Sequence, residues 1–112
     1  MEAPPGTCQP YLKALSDATR WQMVEVLIAS PSAITLGELA QRIGVSNYNA
    51  SRHTSILEEV GILESRRVGR NKMLSVSTEL RESIEKGDGQ AVVLNLGCCT
   101  FQFPAQRSGE IK

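Results

Sequence analysis

Between Ser46 and Ser55 the chain gathers Asn47, Tyr48, Asn49, Ser51 and Arg52, side chains that offer paired hydrogen-bond donors and acceptors. Asparagine can present a donor and an acceptor together, matching the major-groove edge of adenine, and arginine can give two parallel donors to guanine. The hydroxyls of Ser46, Ser51 and Ser55 suit phosphate or base contacts. A second group, Arg66, Arg67, Arg70 and Lys72, supplies cations of the kind that neutralise phosphates. The third is Cys98-Cys99, an adjacent thiol pair, with Cys8 the remaining cysteine.

The first group needs a helix beneath it. Gly44 can take the left-handed conformation that ends one helix, Val45 can tuck between two helices, and Ser46 can cap the next. Ala50, Thr54, Leu57 and Val60 then recur at helical spacing on one face, while Tyr48, Ser51, Arg52, Ser55 and Glu59 fall on the other. The preceding helix is expected over residues 36–43, with Thr35 as its cap, Glu38 at the capping-box position, and Leu36, Leu39, Ala40 and Ile43 facing inward. Residues 62–68 and 72–77 are expected to form antiparallel strands around a tight basic tip, Gly69-Arg70-Asn71. The order is helix, turn, helix, hairpin.

Upstream, residues 1–10 read as a flexible arm ended by Pro10, and residues 11–15 as a short helix. Ser16-Asp17 offers a cap for a longer helix in which Trp21, Val24, Leu27 and Ile28 share an apolar side, stopped at Ser30-Pro31. Downstream, Ser77 or Thr78 can cap a helix running through Leu80, Ile84 and Lys86, ended by Gly87-Asp88-Gly89. The chain thus divides into an arm over 1–10, a compact unit over 11–86, and a C-terminal segment over 87–112.

That last segment carries paired Val, Leu and Phe residues and reads as one long strand or two short ones meeting at Gly97. So apolar a strand needs cover that the rest of the chain scarcely supplies. Leu94 and Leu96 are therefore expected to build a dimer interface with Tyr11 and Leu15. Two readings stand for Cys98 and Cys99: small structural residues, or a thiol sensor open to oxidation or a soft ion such as arsenite. Tyr48 can read a base or pack across the turn, and the basic hairpin can touch phosphate or be a solvated face. His53 is expected to hydrogen-bond at the edge of the core in preference to binding metal.

The chain has 112 residues, with 12 Lys and Arg against 12 Asp and Glu and a formal net charge of zero. Overall charge lends nothing to nucleic-acid binding, so the distribution of cations must carry it. The length suits one small core. An enzyme is not expected: there is no Gly-rich phosphate loop, nucleophile-base pair or zinc spacing, and His53 is the single histidine. The N-terminus is acidic and Pro-rich, unlike a signal peptide, and no apolar run approaches membrane-spanning length. A cytoplasmic location with no membrane partner is expected.

Three segments, Lys13-Ala14-Leu15-Ser16-Asp17-Ala18-Thr19-Arg20, Ser46 through Leu57, and Val60-Gly61-Ile62-Leu63 on to Gly69-Arg70, together resemble the ArsR-type winged helix-turn-helix family of transcriptional regulators. The resemblance covers roughly residues 11–77. It implies an α+β, mainly helical fold with a two-stranded wing; the added C-terminal strand segment read above departs from the long dimerising helix with which the family often ends. It also implies a homodimeric repressor that binds double-stranded DNA at a palindromic operator and leaves it when an effector binds. Ser46, Asn47, Tyr48, Asn49, Ser51, Arg52 and Ser55 then form the reading surface, with Arg66, Arg67, Arg70 and Lys72 on the wing. Thr54 stands where the family usually has leucine, and Ala18 replaces a frequent proline. The Cys-x-Cys of many metal-sensing members is missing from Gly37-Glu38-Leu39-Ala40-Gln41-Arg42, so neither a metal nor a cofactor is expected. A winged helix acting as a protein-interaction module is the alternative.

Overall fold

Asp17 starts the central helix of the molecule. In the computed structural model, which describes residues 9–30, 32–81, 84–86, 92–95 and 100–103, its carboxylate accepts the backbone N–H of Arg20 at 3.1 Å and caps helix α2, Ala18–Ala29. Met23, Val24 and Leu27 of α2 are fully buried, and Ser30 closes the helix by donating its N–H to Leu27. Helix α1, Gln9–Leu15, precedes it. Residues 9 and 10 therefore belong to a helix and not to an arm, and Pro10 is tolerated because a first-turn N–H has no intrahelical acceptor.

Helix α3, Leu36–Ile43, and helix α4, Asn47–Glu59, meet across the expected turn. Gly44 has φ of +77° and gives its N–H to Ala40, while Val45 packs against the core. Thr35 caps α3 by accepting from Glu38 N–H at 3.0 Å. The capping box is only half formed, since the Glu38 carboxylate turns to Arg42 at 3.1 Å on the exposed side.

After α4 come strand β2, Leu63–Val68, and strand β3, Asn71–Val76, paired antiparallel from Leu63↔Val76 to Val68↔Asn71. The tip is a two-residue turn, Gly69-Arg70, with φ positive only at Gly69 (+63°), the pattern of a type II′ hairpin. Asn71 belongs to the strand, one residue earlier than expected. A short strand β1, Ile34–Thr35, pairs with β3, so the wing has three strands in the order β1-β3-β2.

The helix expected from Ser77 through Lys86 is one turn, α5, Thr78–Arg81. Ser77 accepts from Leu80 N–H at 3.4 Å, and Glu64 from the N–H and hydroxyl of Thr78 at 3.1 and 3.0 Å. Beyond it, Ile84–Lys86 forms strand β4, joined to β5, Val92–Asn95, and β6, Thr100–Phe103, in a second antiparallel sheet. Pairing of Ile84 with Leu94 gives this β-branched residue a partner that a local helix would not. Among the described residues the C-terminal segment contributes two strands, and Gly97, the expected meeting point, lies outside them.

The core runs through both sheets. Leu39, Ala50, Leu57, Ile62, Leu74, Val76, Leu94 and Phe103 are buried together with the α2 residues. The second sheet finds cover within its own chain: the Trp21 ring stacks on Phe103 at 4.3 Å and meets Phe101 edge-on at 6.1 Å. Leu94 is 0% exposed and Leu15 4%. These two residues are therefore core, which corrects their expected place on a dimer surface. The physical reason is that α2 carries Trp21 on the side that meets the second sheet, so the cover comes from within the chain. No helix among the described residues is long and apolar enough to cross a membrane.

Replacing Leu94 by Ala should therefore leave a cavity and destabilise the fold by roughly 2–5 kcal/mol, seen as a lowered urea midpoint. An unchanged midpoint with a loss of native mass in light scattering would return Leu94 to an interface.

Candidate nucleic-acid interface

Helix α4 is held on one side and free on the other. Ala50, Thr54 and Leu57 are each 0% exposed, whereas Asn47, Tyr48, Asn49, Arg52 and Ser55 are exposed. Ser46 begins the helix with extended dihedrals and accepts from Asn49 N–H at 3.0 Å. The Thr54 hydroxyl, unusual on a core face, donates to the Ser51 carbonyl at 3.1 Å and so is satisfied. Ser51 itself is half-buried and is the least available of the expected reading residues.

Tyr48 does not pack across the turn. It is 70% exposed, and the Arg52 guanidinium lies over its ring at 5.8 Å, a cation–π contact one helical turn apart. The contact limits the freedom of the Arg52 side chain on the outward face. Beside Asn47 an open surface depression is lined by Thr35, Gly37, Glu38, Gln41, Val45 and Ser46, which places α3 next to the helix start. Gln41 of α3 is exposed at this edge, next to the start of α4.

The orientation of α4 is tied to the first two helices by a polar cluster. Arg20 Nε donates to the Ala14 carbonyl at 2.6 Å, and Arg20 Nη1 lies 3.1 Å from His53 Nδ1. A guanidinium can only donate, so this contact makes Nδ1 the acceptor and leaves the ring proton on Nε2. His53 therefore hydrogen-bonds at the core edge, as expected. Asp17 Oδ2 lies 3.9 Å from the same nitrogen. The N–H of Arg20 lowers the Asp17 pKa below its ordinary 3.8, with the charge of Arg20 adding to the effect and burial opposing it. Among the described residues no group of three or more His, Cys, Asp and Glu side chains is placed to hold a metal ion.

On the wing, Arg66, Arg67 and Arg70 are exposed. Arg66 pairs with Met73 and Arg67 with Lys72 across the strands, so the adjacent arginines leave opposite faces of the hairpin. Lys72 is the wing cation with an ion-pair partner. It is half-buried, and its Nζ lies 3.3 Å from Glu58 Oε2 of α4. That oxygen is buried and makes no hydrogen bond of good geometry, so the pair is a contact between charges. Nothing in the local sequence around Glu58 or Lys72 signals this pairing. Tyr11 is partly buried against the core, and Leu96, Cys98 and Cys99 lie outside the described residues.

This arrangement has relatives. Residues 15–66 match a family model described as a helix-turn-helix domain. The chain is 30% identical over 89 residues to the HTH-type transcriptional regulator YuzN of Bacillus subtilis, covering 73% of this chain and 95% of that protein. It is 31% identical over 64 residues to the HTH-type regulator YceK of the same organism, covering 57% of this chain and 64% of YceK. Among solved structures it resembles the ArsR family transcriptional regulator RHA00566, with TM-score 0.58 and 25% identity over 70% of this chain and 79% of that one.

Replacing Asp17 by Ala removes a helix cap and should cost about 0.5–2 kcal/mol of stability at neutral pH. Because the folded pKa of Asp17 is depressed, its contribution is present above the ordinary 3.8 and lost as pH falls through the lower folded value. Urea unfolding of parent and variant should therefore converge on acidification. A gap that persists at the lowest pH would contradict the assignment.

Proposed function

Because the chain belongs to the ArsR-type winged helix-turn-helix regulators, DNA-binding proteins that control transcription, we propose that it is a homodimeric repressor of a two-fold related operator. Helix α4 enters the major groove. There Asn47, Asn49 and Arg52 read base edges while Tyr48, Ser46 and Ser55 contact bases or phosphates. The wing arginines Arg66, Arg67 and Arg70 add phosphate contacts that supply affinity more than sequence choice. The observation that carries the reading is the one-sided burial of α4, which leaves base-reading side chain types exposed beside an arginine-tipped hairpin.

Dimerisation follows from how such a helix reads DNA, since two copies about one helical turn apart contact successive major grooves. The outward side of α1 is the surface for it. Leu12 is 49% exposed beside Tyr11, and with Ile56 and Val60 of α4 it lines an open depression. Repression, in place of activation, is what the family resemblance implies. The protein is a binding protein and not an enzyme, and it works in the cytoplasm, where its DNA lies.

Selection of bound sequences from random duplex DNA should enrich two-fold related half-sites with centres about 34 Å apart. Arg52→Ala should relax one base position in each half-site, with a discrimination loss of about 1–3 kcal/mol. Failure to enrich any sequence would sink the repressor reading and favour a protein-interaction module.

A further inference from the structure

Apolar burial anchors the wing to the body at its base and not at its tip. Ile62 accepts the N–H of Ser77 at 2.9 Å, Leu63 and Val76 are buried as a cross-strand pair, and Leu74 is the last fully buried residue of β3 on the way out. Past Leu74 the hairpin holds Arg67 opposite Lys72 and Val68 opposite Asn71, with Val68 52% exposed. The Arg67–Lys72 pair places two cations on the same face, an arrangement that repels and would splay the tip. The Glu58 carboxylate, projecting from the last turn of α4, meets Lys72 there and uses its one buried oxygen on nothing else.

We infer that Glu58 and Lys72 are positioning residues whose ion pair holds the outer half of the wing against the recognition helix. Lys72 thus supports DNA binding by placing Arg67 and Arg70, and does not itself contact phosphate. Glu58 carries negative charge on the helix that meets DNA, where simple electrostatics would weaken binding; the tie explains a carboxylate in that place. The pair lies far along the hairpin from its covalent root at Ile62. A single contact there limits pivoting of the tip more than one near the base would. The inference rests on the DNA-binding reading of α4 and the wing.

The test is binding of the full chain and its variants to a mixed-sequence duplex three helical turns long, followed by fluorescence anisotropy over a series of salt concentrations. Glu58→Gln keeps the shape of the side chain and removes one negative charge. It should weaken binding about fivefold at fixed salt, although the charge change alone would tighten it, and should leave the slope of log K against log salt unchanged. Lys72→Met should behave alike, whereas Arg67→Met should reduce the slope by about 0.9. The charge-swapped double variant Glu58→Lys with Lys72→Glu should recover most of the lost affinity. Tighter binding and a steeper slope in Glu58→Gln, or a slope lowered by about 0.9 in Lys72→Met, would overturn the inference by making Lys72 a phosphate contact. Unchanged affinity in both single variants would overturn it as well. If the parent chain itself shows no salt-dependent binding, the DNA-binding reading fails first, and that outcome is distinct from the others.

Discussion

One-sided burial of helix α4 is the constraint on which the rest depends. Ala50, Thr54 and Leu57 are sealed against α2, α3 and the wing, and burial of the Leu57 side chain alone contributes roughly 1.5–3 kcal/mol. With that face fixed, the 3.6-residue repeat leaves no choice about which residues look outward. Tyr48, Arg52 and Ser55 share the free side because they cannot share the buried one. The turn before the helix serves the same end. Gly44 in the left-handed region and Ser46 as cap set where the helix starts, and therefore which residues its first turn presents.

Polar contacts then refine what packing begins. Arg20 spans the Ala14 carbonyl at the end of α1 and the His53 ring on α4, while Asp17 caps α2 and adds its charge to the same cluster. These contacts fix rotation and tilt, which apolar packing alone specifies less sharply. At the opposite end of α4, Glu58 reaches Lys72 of the wing. The reading helix is thus tied near its middle to the body and near its end to the hairpin. Both ties leave Asn47, Tyr48 and Arg52 free.

Features with local causes were legible in the sequence. The caps at Asp17, Thr35 and Ser46, the helix stop at Gly44 and the hairpin bend at Gly69 each follow from one residue's own chemistry, and the structure has all of them. Features that depend on a distant partner were not. Strand β1 exists because β3 passes beside Ile34, and β4 because β5 passes beside Ile84, neither of which a local pattern records. The cover that Trp21 gives to Phe103 is of the same kind, because the two rings lie on elements far apart in the chain and only the fold stacks them. The ion pair of Lys72 is absent from the local sequence for the same reason. Its partner lies on another element, and only the fold brings Glu58 to it.

Hydrogen–deuterium exchange of the full chain, with and without the DNA duplex that selection yields, tests the account most directly. Binding through α4 and the wing predicts new protection over residues 46–55 and 66–71, and no such change across the Trp21–Phe103 side of the molecule. Protection confined to that aromatic side, with residues 46–55 exchanging as in the free protein, would contradict it.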